Sequence, residues 1–266
     1  MASETVNLQA APLGSDPAIL TRDDGATIAY HRRSGKSPGV VFLTGFKSDM
    51  TGSKALAVDE LCRQRDQAFL RFDYTGHGQS SGQFEDGTIG RWAEDAVHAI
   101  DHLTKGPQVL VGSSMGGWIM LLTALQRPDR VAGLVGLAAA PDFTEDLLLD
   151  AFTAEQKAVM ERDGRVEIPN CYDDEPYIIS KALVDDGRDH LLLRDEIAID
   201  APIRLIHGLK DEDVPWQTSQ KISEQVRTAN VEVTFVKEGD HRLSEPHDLI
   251  RLQRSLTGLL DELGGG

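Results

Sequence analysis

The sequence predicts an α/β fold built on a mostly parallel sheet. Two observations carry this. Short runs of branched and aromatic residues alternate with amphipathic stretches, the pattern of strands joined by crossover helices. The 266 residues, 40 % of them apolar, suffice for one large domain with a sizeable core, or for one domain carrying an insertion. No repeat of solenoid period interrupts the alternation.

The opening pair is the exception to parallel order. Ile19 to Arg22 and Ala26 to His31 flank Asp24-Gly25, a hairpin turn signal. Strand-like runs follow at Val40–Leu43, Ala68–Phe72, Val109–Val111, Val131–Leu137, Ile203–Ile206 and Val231–Val236, giving eight strands in all. Helical patterns lie between them at Lys54–Arg65, Arg91–Leu103, Met115–Gln126, Gln217–Val226 and His247–Leu260. In the second, Trp92, Ala96, Ala99, Ile100 and Leu103 form one stripe while Glu94, Asp95, His98 and Asp101 point elsewhere, as expected of a helix lying on a sheet.

The rhythm breaks between Pro141 and Asp200. Helical pieces at Glu145–Phe152, Ala154–Glu161 and Glu175–Val184 sit there among loop signals and many acids. The stretch is too long for an ordinary crossover. The expected organisation is a core from 18 to 140, a helical cap insertion from 141 to 200 with helices over the strand ends, and the remainder of the core from 201 to 262. Phe143, Leu147 to Leu149, Phe152, Ile178, Ile179 and Leu183 are the insertion's apolar residues; they either glue it to the core or face a pocket.

Composition excludes several classes. A net charge of −16 argues against nucleic acid and anionic membrane surfaces, which call for basic patches. The longest apolar candidate, Val131 to Pro141, is of strand length, too short to span a membrane. Met1 to Asp16 lacks the features of a secretory signal or an arginine-rich presequence. Cys62 and Cys171 have no metal-ligand spacing and read as reduced thiols in a cytoplasm-like compartment. Gly264 to Gly266 read as a disordered tail.

The chemistry centres on Gly-x-Ser-x-Gly, which occurs three times. Gly35-Lys36-Ser37-Pro38-Gly39 holds a proline and reads as a turn before a strand, and Gly78-Gln79-Ser80-Ser81-Gly82 lies in a glycine-rich loop. Only Gly112-Ser113-Ser114-Met115-Gly116 stands between an apolar strand and a helix, the context of a nucleophile elbow. Ser114 is therefore the expected nucleophile.

A serine nucleophile needs a base and an acid that follow it in chain order. Of His190, His207, His241 and His247, only His241 lies in a loop just after the final strand. His207 ends a strand, His190 sits in the insertion and His247 opens the last helix. The acid belongs after the penultimate strand, in His207-Gly208-Leu209-Lys210-Asp211-Glu212-Asp213-Val214-Pro215. Asp211 is chosen over Asp213 because it lies nearer the strand end; Glu212 reads as solvated. An oxyanion hole takes one backbone N–H after the nucleophile, from Met115, and one from Leu43-Thr44-Gly45-Phe46, from Phe46, whose ring has a packing role besides. No metal or other cofactor is expected. The glycines at 112 to 117 lack the lysine of a phosphate-binding loop.

The elbow Gly112 to Trp118, the loop Gly45 to Gly52, His207 to Asp211 with Val214-Pro215-Trp216, and Asp240-His241-Arg242 together resemble the abhydrolase-domain group of the α/β-hydrolase family. They are most similar to the subgroup of the mitochondrial palmitoyl-protein thioesterase. The similarity runs from about Ile28 to Leu260, is weakest in the insertion, and without a presequence suggests a bacterial relative. It implies a serine hydrolase acting on S-acyl and ester substrates, with Ser114, Asp211 and His241 as its triad. Alternatives are a small-ester carboxylesterase, another hydrolytic reaction on the same fold, or a non-catalytic binding protein. Small-molecule or S-acyl substrates, rather than nucleic acid or a membrane, are the expected partners. The motifs do not specify substrate-binding residues, which belong to the cap and pocket.

Overall fold

A computed structural model describes residues 16–168 and 176–264. The expectations resting on Met1 to Ser15, Cys171, Glu175, Gly265 and Gly266 lie outside these residues. Strands β1 (Ala18–Thr21) and β2 (Thr27–Arg33) form the antiparallel hairpin. Gly25 turns it at φ 86°, and Asp24 Oδ1 accepts the Ala26 N–H at 3.0 Å. The chain continues through β3 (Lys36–Leu43), α1 (Ser53–Arg65), β4 (Gln67–Phe72), α2 (Ile89–Leu103), β5 (Gln108–Ser113), α3 (Met115–Gln126) and β6 (Val131–Leu137).

Beyond β6 the chain leaves the sheet. It forms a π-helical segment (Thr144–Leu149), α4 (Ala154–Asp163), β7 (Arg165–Ile168), β8 (Tyr177–Ser180) and α5 (Lys181–Arg188). It returns through β9 (Ile203–Gly208), α6 (Gln217–Gln225), β10 (Val231–Val236) and α7 (Pro246–Gly264). The main sheet has eight strands in the order β1-β2-β4-β3-β5-β6-β9-β10, parallel from β4 to β10. Its central strands are apolar on both faces because helices cover both. Trp92 and Trp118 of α2 and α3 pack on one side with Leu110; Val58 of α1 and Leu252 and Leu256 of α7 pack on the other with Val109.

Four local expectations are corrected. The insertion is not all helical: Tyr177 to Ser180, read as helix, is a strand antiparallel to β7, with Ile179 opposite Val166. The β-branched pair Ile178-Ile179 suits that strand. Ser180 then caps α5, its Oγ accepting the Leu183 N–H at 3.1 Å. Lys36 to Gly39 is not a turn but the start of β3, where an irregular register absorbs the proline. Asp95, placed off the buried stripe, is nonetheless fully buried and accepts hydrogen bonds from Thr75 N–H and Arg22. Gly264 ends α7 instead of opening a tail.

Candidate active site

Ser114 sits where β5 passes into α3. Its φ of 55° and ψ of −121° place a non-glycine residue in a strained region, which holds the side chain clear of both elements. Tight packing explains the glycines beside it. A Cβ on Gly112 would strike the backbone of Gly116, one on Gly116 the carbonyls of Leu43 and Thr44, and one on Gly117 the side chain of Ala139. The turn is tied down by hydrogen bonds from Ser114 N–H to Leu137 O at 2.9 Å and from Ala140 N–H to Ser114 O at 3.1 Å.

The sheet order brings the other two expected residues alongside. The loops after β9 and β10 are laced together by Leu209 N–H to Val236 O (2.8 Å) and Lys210 N–H to Gly239 O (2.9 Å). His241 Nε2 lies 3.0 Å from Ser114 Oγ and its Nδ1 lies 2.8 Å from Asp211 Oδ2. The Asp211 side chain is wholly buried and that of His241 is 17 % exposed. Asp213 is exposed and lines the cavity beside His241, and Glu212 is exposed.

Asp211 receives more than the histidine. Its Oδ1 accepts the N–H groups of Asp213 (3.0 Å) and Val214 (2.8 Å), and its Oδ2 also meets His207 Nε2 at 3.2 Å. Burial alone pushes a carboxyl pKa up. Here the hydrogen bonds from His207 and His241, the charge of His241 and the Val214 N–H outweigh burial and hold Asp211 well below the usual carboxylate range. His207 Nε2 faces two acceptors, Asp211 and Val214 O (3.0 Å), so it carries the proton, while Nδ1 pairs with Ser219 Oγ at 2.7 Å. In the sequence His207 only ends a strand. Its hold on Asp211 has no signal in the sequence beyond the spacing from 207 to 211, one that in a loop guarantees nothing.

The Phe46 and Met115 amides both border the cavity that holds Ser114. Among the described residues neither N–H has a hydrogen-bond acceptor, as required of donors awaiting an oxyanion. The Phe46 ring also packs, lying edge-on to Phe84 (4.8 Å), Phe143 (5.7 Å), Tyr177 (5.8 Å) and Trp92 (6.0 Å). Asp73, which sequence reasoning missed, steadies the same loop by accepting Met50 N–H at 2.7 Å and Gln79 N–H at 2.9 Å. The rival Ser80 is engaged elsewhere: its Oγ donates to Asp73 O (2.6 Å) and accepts Ala29 N–H (2.9 Å), fastening the glycine-rich loop to β2.

The cavity has a volume of about 490 Å³. Phe143, Leu147, Leu148, Ile168, Tyr177 and Ile179, all from the insertion, line one side of it. Phe152 and Leu183 are buried in the core instead. Asp211, Asp213 and His241 stand close enough to suggest a metal site. The donor set does not fit one: both His241 nitrogens and both Asp211 oxygens are already hydrogen-bonded.

A doubly wound sheet with a serine at a strained strand-to-helix turn, facing a histidine and a buried aspartate, defines the hydrolase class. The chain belongs to the α/β-hydrolase family. The model of the α/β hydrolase fold matches residues 40–167. Over 247 residues the chain is 40 % identical to the mitochondrial palmitoyl-protein thioesterase ABHD10 of Homo sapiens, covering 92 % of this chain and 80 % of that protein. Among solved structures, alpha/beta hydrolase domain-containing protein 10 from mouse superposes with a TM-score of 0.87 at 38 % identity, covering 94 % of this chain and 100 % of that one. A putative hydrolase from Agrobacterium vitis S4 gives 0.88 at 37 % identity, with 94 % and 99 % covered. Among the described residues no helix is long and apolar enough to cross a membrane.

Proposed function

We propose that the protein hydrolyses acyl thioesters and carboxylic esters through an acyl-serine intermediate, with long S-acyl chains such as palmitoyl among its substrates. The observation that carries this reading is the unbroken relay Asp211–His241–Ser114, with contacts of 2.8 and 3.0 Å, opening on a cavity walled by apolar residues of the insertion. His241 Nε2 takes the Ser114 proton as Oγ attacks the acyl carbonyl, and Nδ1–H donates to the ionised Asp211. The oxyanion is held by the N–H groups of Phe46 and Met115. The leaving thiol or alcohol departs with the proton from His241; water activated by the same imidazole then frees the acid. A thiol, with a pKa of about 8.5, leaves with less need of that proton than an alcohol does. The insertion, 141–200, acts as the cap that receives the acyl chain. The protein works in a reducing compartment, cytoplasm or mitochondrial matrix, a reading supported by the free, buried Cys62 and by the mitochondrial designation of its relative.

The test is kcat/KM over acetyl, butyryl, octanoyl and palmitoyl thioesters of one thiol, each below its micelle concentration. Every methylene entering the cap contributes about 0.8 kcal/mol, about fourfold in rate, so the series should climb until the cavity is full. A flat or falling series would instead identify a small-ester carboxylesterase.

A further inference from the structure

The cavity has a second side, unlike the first. Apart from the insertion's apolar residues, the cavity is bordered by Thr44, Ser53, Lys54, Arg242 and Ser244, and also by Lys47, Asp49 and Asp213, so three cations outnumber two carboxylates there in a chain of net charge −16. Lys54 is half-buried, and among the described residues it forms no ion pair; its ammonium donates to the Arg242 carbonyl. Burial and the charge of Arg242 push its pKa down to about 8, against the opposing pull of Asp240 and Asp248. Asp248 is itself paired with Arg251 at 2.7 Å. Among the described residues Lys54 thus has no carboxylate within ion-pair distance, and it sits in a position that disfavours its charge.

Two further features border the same cavity. The helix α1 begins at this wall with Gly52 as its N-cap, and no side chain caps it. The first-turn amides of Ser53, Lys54 and Ala55, which have no partner within a helix, are left for an anion. Thr44 is 1 % exposed and its Oγ1 has no hydrogen-bond partner among the described residues, an arrangement that costs stability in a buried hydroxyl.

We propose that this side of the cavity is an anion subsite for the leaving group: the thiol or alcohol released carries a carboxylate or phosphate, received by Lys54, the α1 amides and Thr44 Oγ1. The proposal rests on the ester and thioester hydrolase reading above. Substrate would then lie across Ser114, with its acyl chain under the insertion and its charged end against α1.

Matched probes isolate the charge. Octanoyl thioesters of 3-mercaptopropionate and 6-mercaptohexanoate are compared with those of the corresponding amides, which differ by one negative charge. The carboxylate should be favoured in kcat/KM by about tenfold or more at one of the spacer lengths, the worth of one hydrogen bond to a charged group. Lys54→Gln, whose amide can still reach the Arg242 carbonyl, should bring the acid-to-amide ratio towards one, and Lys54→Glu should invert it. Calorimetric binding of the same pairs to Ser114→Ala protein reads the subsite without catalysis. Equal turnover and equal binding of acid and amide at both lengths, or a preference that survives Lys54→Glu, would overturn the subsite and leave the hydrolase reading intact. Tighter binding of the acids with no turnover of any probe would do the opposite.

Discussion

Replacing Asp211 with Asn changes one atom and leaves the volume untouched, yet the surroundings allow the amide only one orientation. The carboxylate accepts four donors: the N–H groups of Asp213 and Val214 on Oδ1, and His241 and His207 on Oδ2. The backbone donors cannot change, so the Asn carbonyl must stay with them and its NH₂ must face the histidines. His241 can answer only by moving its proton from Nδ1 to Nε2. It then presents a donor to Ser114 in place of the lone pair that should take the hydroxyl proton. An Asp-to-Asn change of this kind costs ~10⁴ in kcat in serine proteases, about 5 kcal/mol of barrier, and a similar loss is expected here. Steady-state turnover of an octanoyl thioester by Asp211→Asn and Asp213→Asn proteins, both checked for native circular dichroism, measures it. Asp213→Asn should stay within about tenfold of the parent, since Asp213 is exposed and it is Asp211 that holds His241 Nδ1. Full activity in Asp211→Asn with collapse in Asp213→Asn would refute the assignment.

Other outcomes follow from the same geometry. Ser114→Ala should abolish both turnover and fluorophosphonate labelling, whereas Ser80→Ala should still be labelled and lose only about 1 kcal/mol of stability per missing hydrogen bond. His207→Gln should lower kcat about tenfold with KM little changed, because it loosens Asp211 without touching the cavity; an equal effect on KM alone would count against a positioning role. EDTA should leave kcat unaltered, and recovery of a lost activity by a divalent cation would contradict the donor set. Burial pushes the Cys62 thiol up to about 12, so at pH 8 it stays protonated. In a Cys171→Ser background a disulfide reagent should therefore react only on unfolding; prompt reaction of native protein would show an accessible thiolate.

Most of the sheet was legible because burial on both faces demands continuous apolar runs, as at Val109 to Val111 and Val131 to Leu137. Ser114, Asp211 and His241 were legible because strand ends confine which residues can meet, and the structure does bring those three together. What failed depended on partners distant in sequence. Asp95 falls off the apolar stripe, and its burial emerges only when Arg22, more than seventy residues earlier, is seen to reach it. Tyr177 to Ser180 reads as helix until β7 is there to pair with it. Lys54 carries no motif, and its isolation emerges only when the cavity wall is assembled from α1 and the loop after β10.

The backbone at Ser114 has one more consequence. A residue with a side chain held at φ 55° costs about 1–3 kcal/mol relative to a conformation it prefers, and glycine at that position would not bear the cost. Ser114→Gly should therefore melt higher than the parent and higher than Ser114→Ala. Any screen that rewards thermal tolerance without assaying turnover would favour loss of Ser114, so breeding a hardier form of this protein requires that activity be scored in every round.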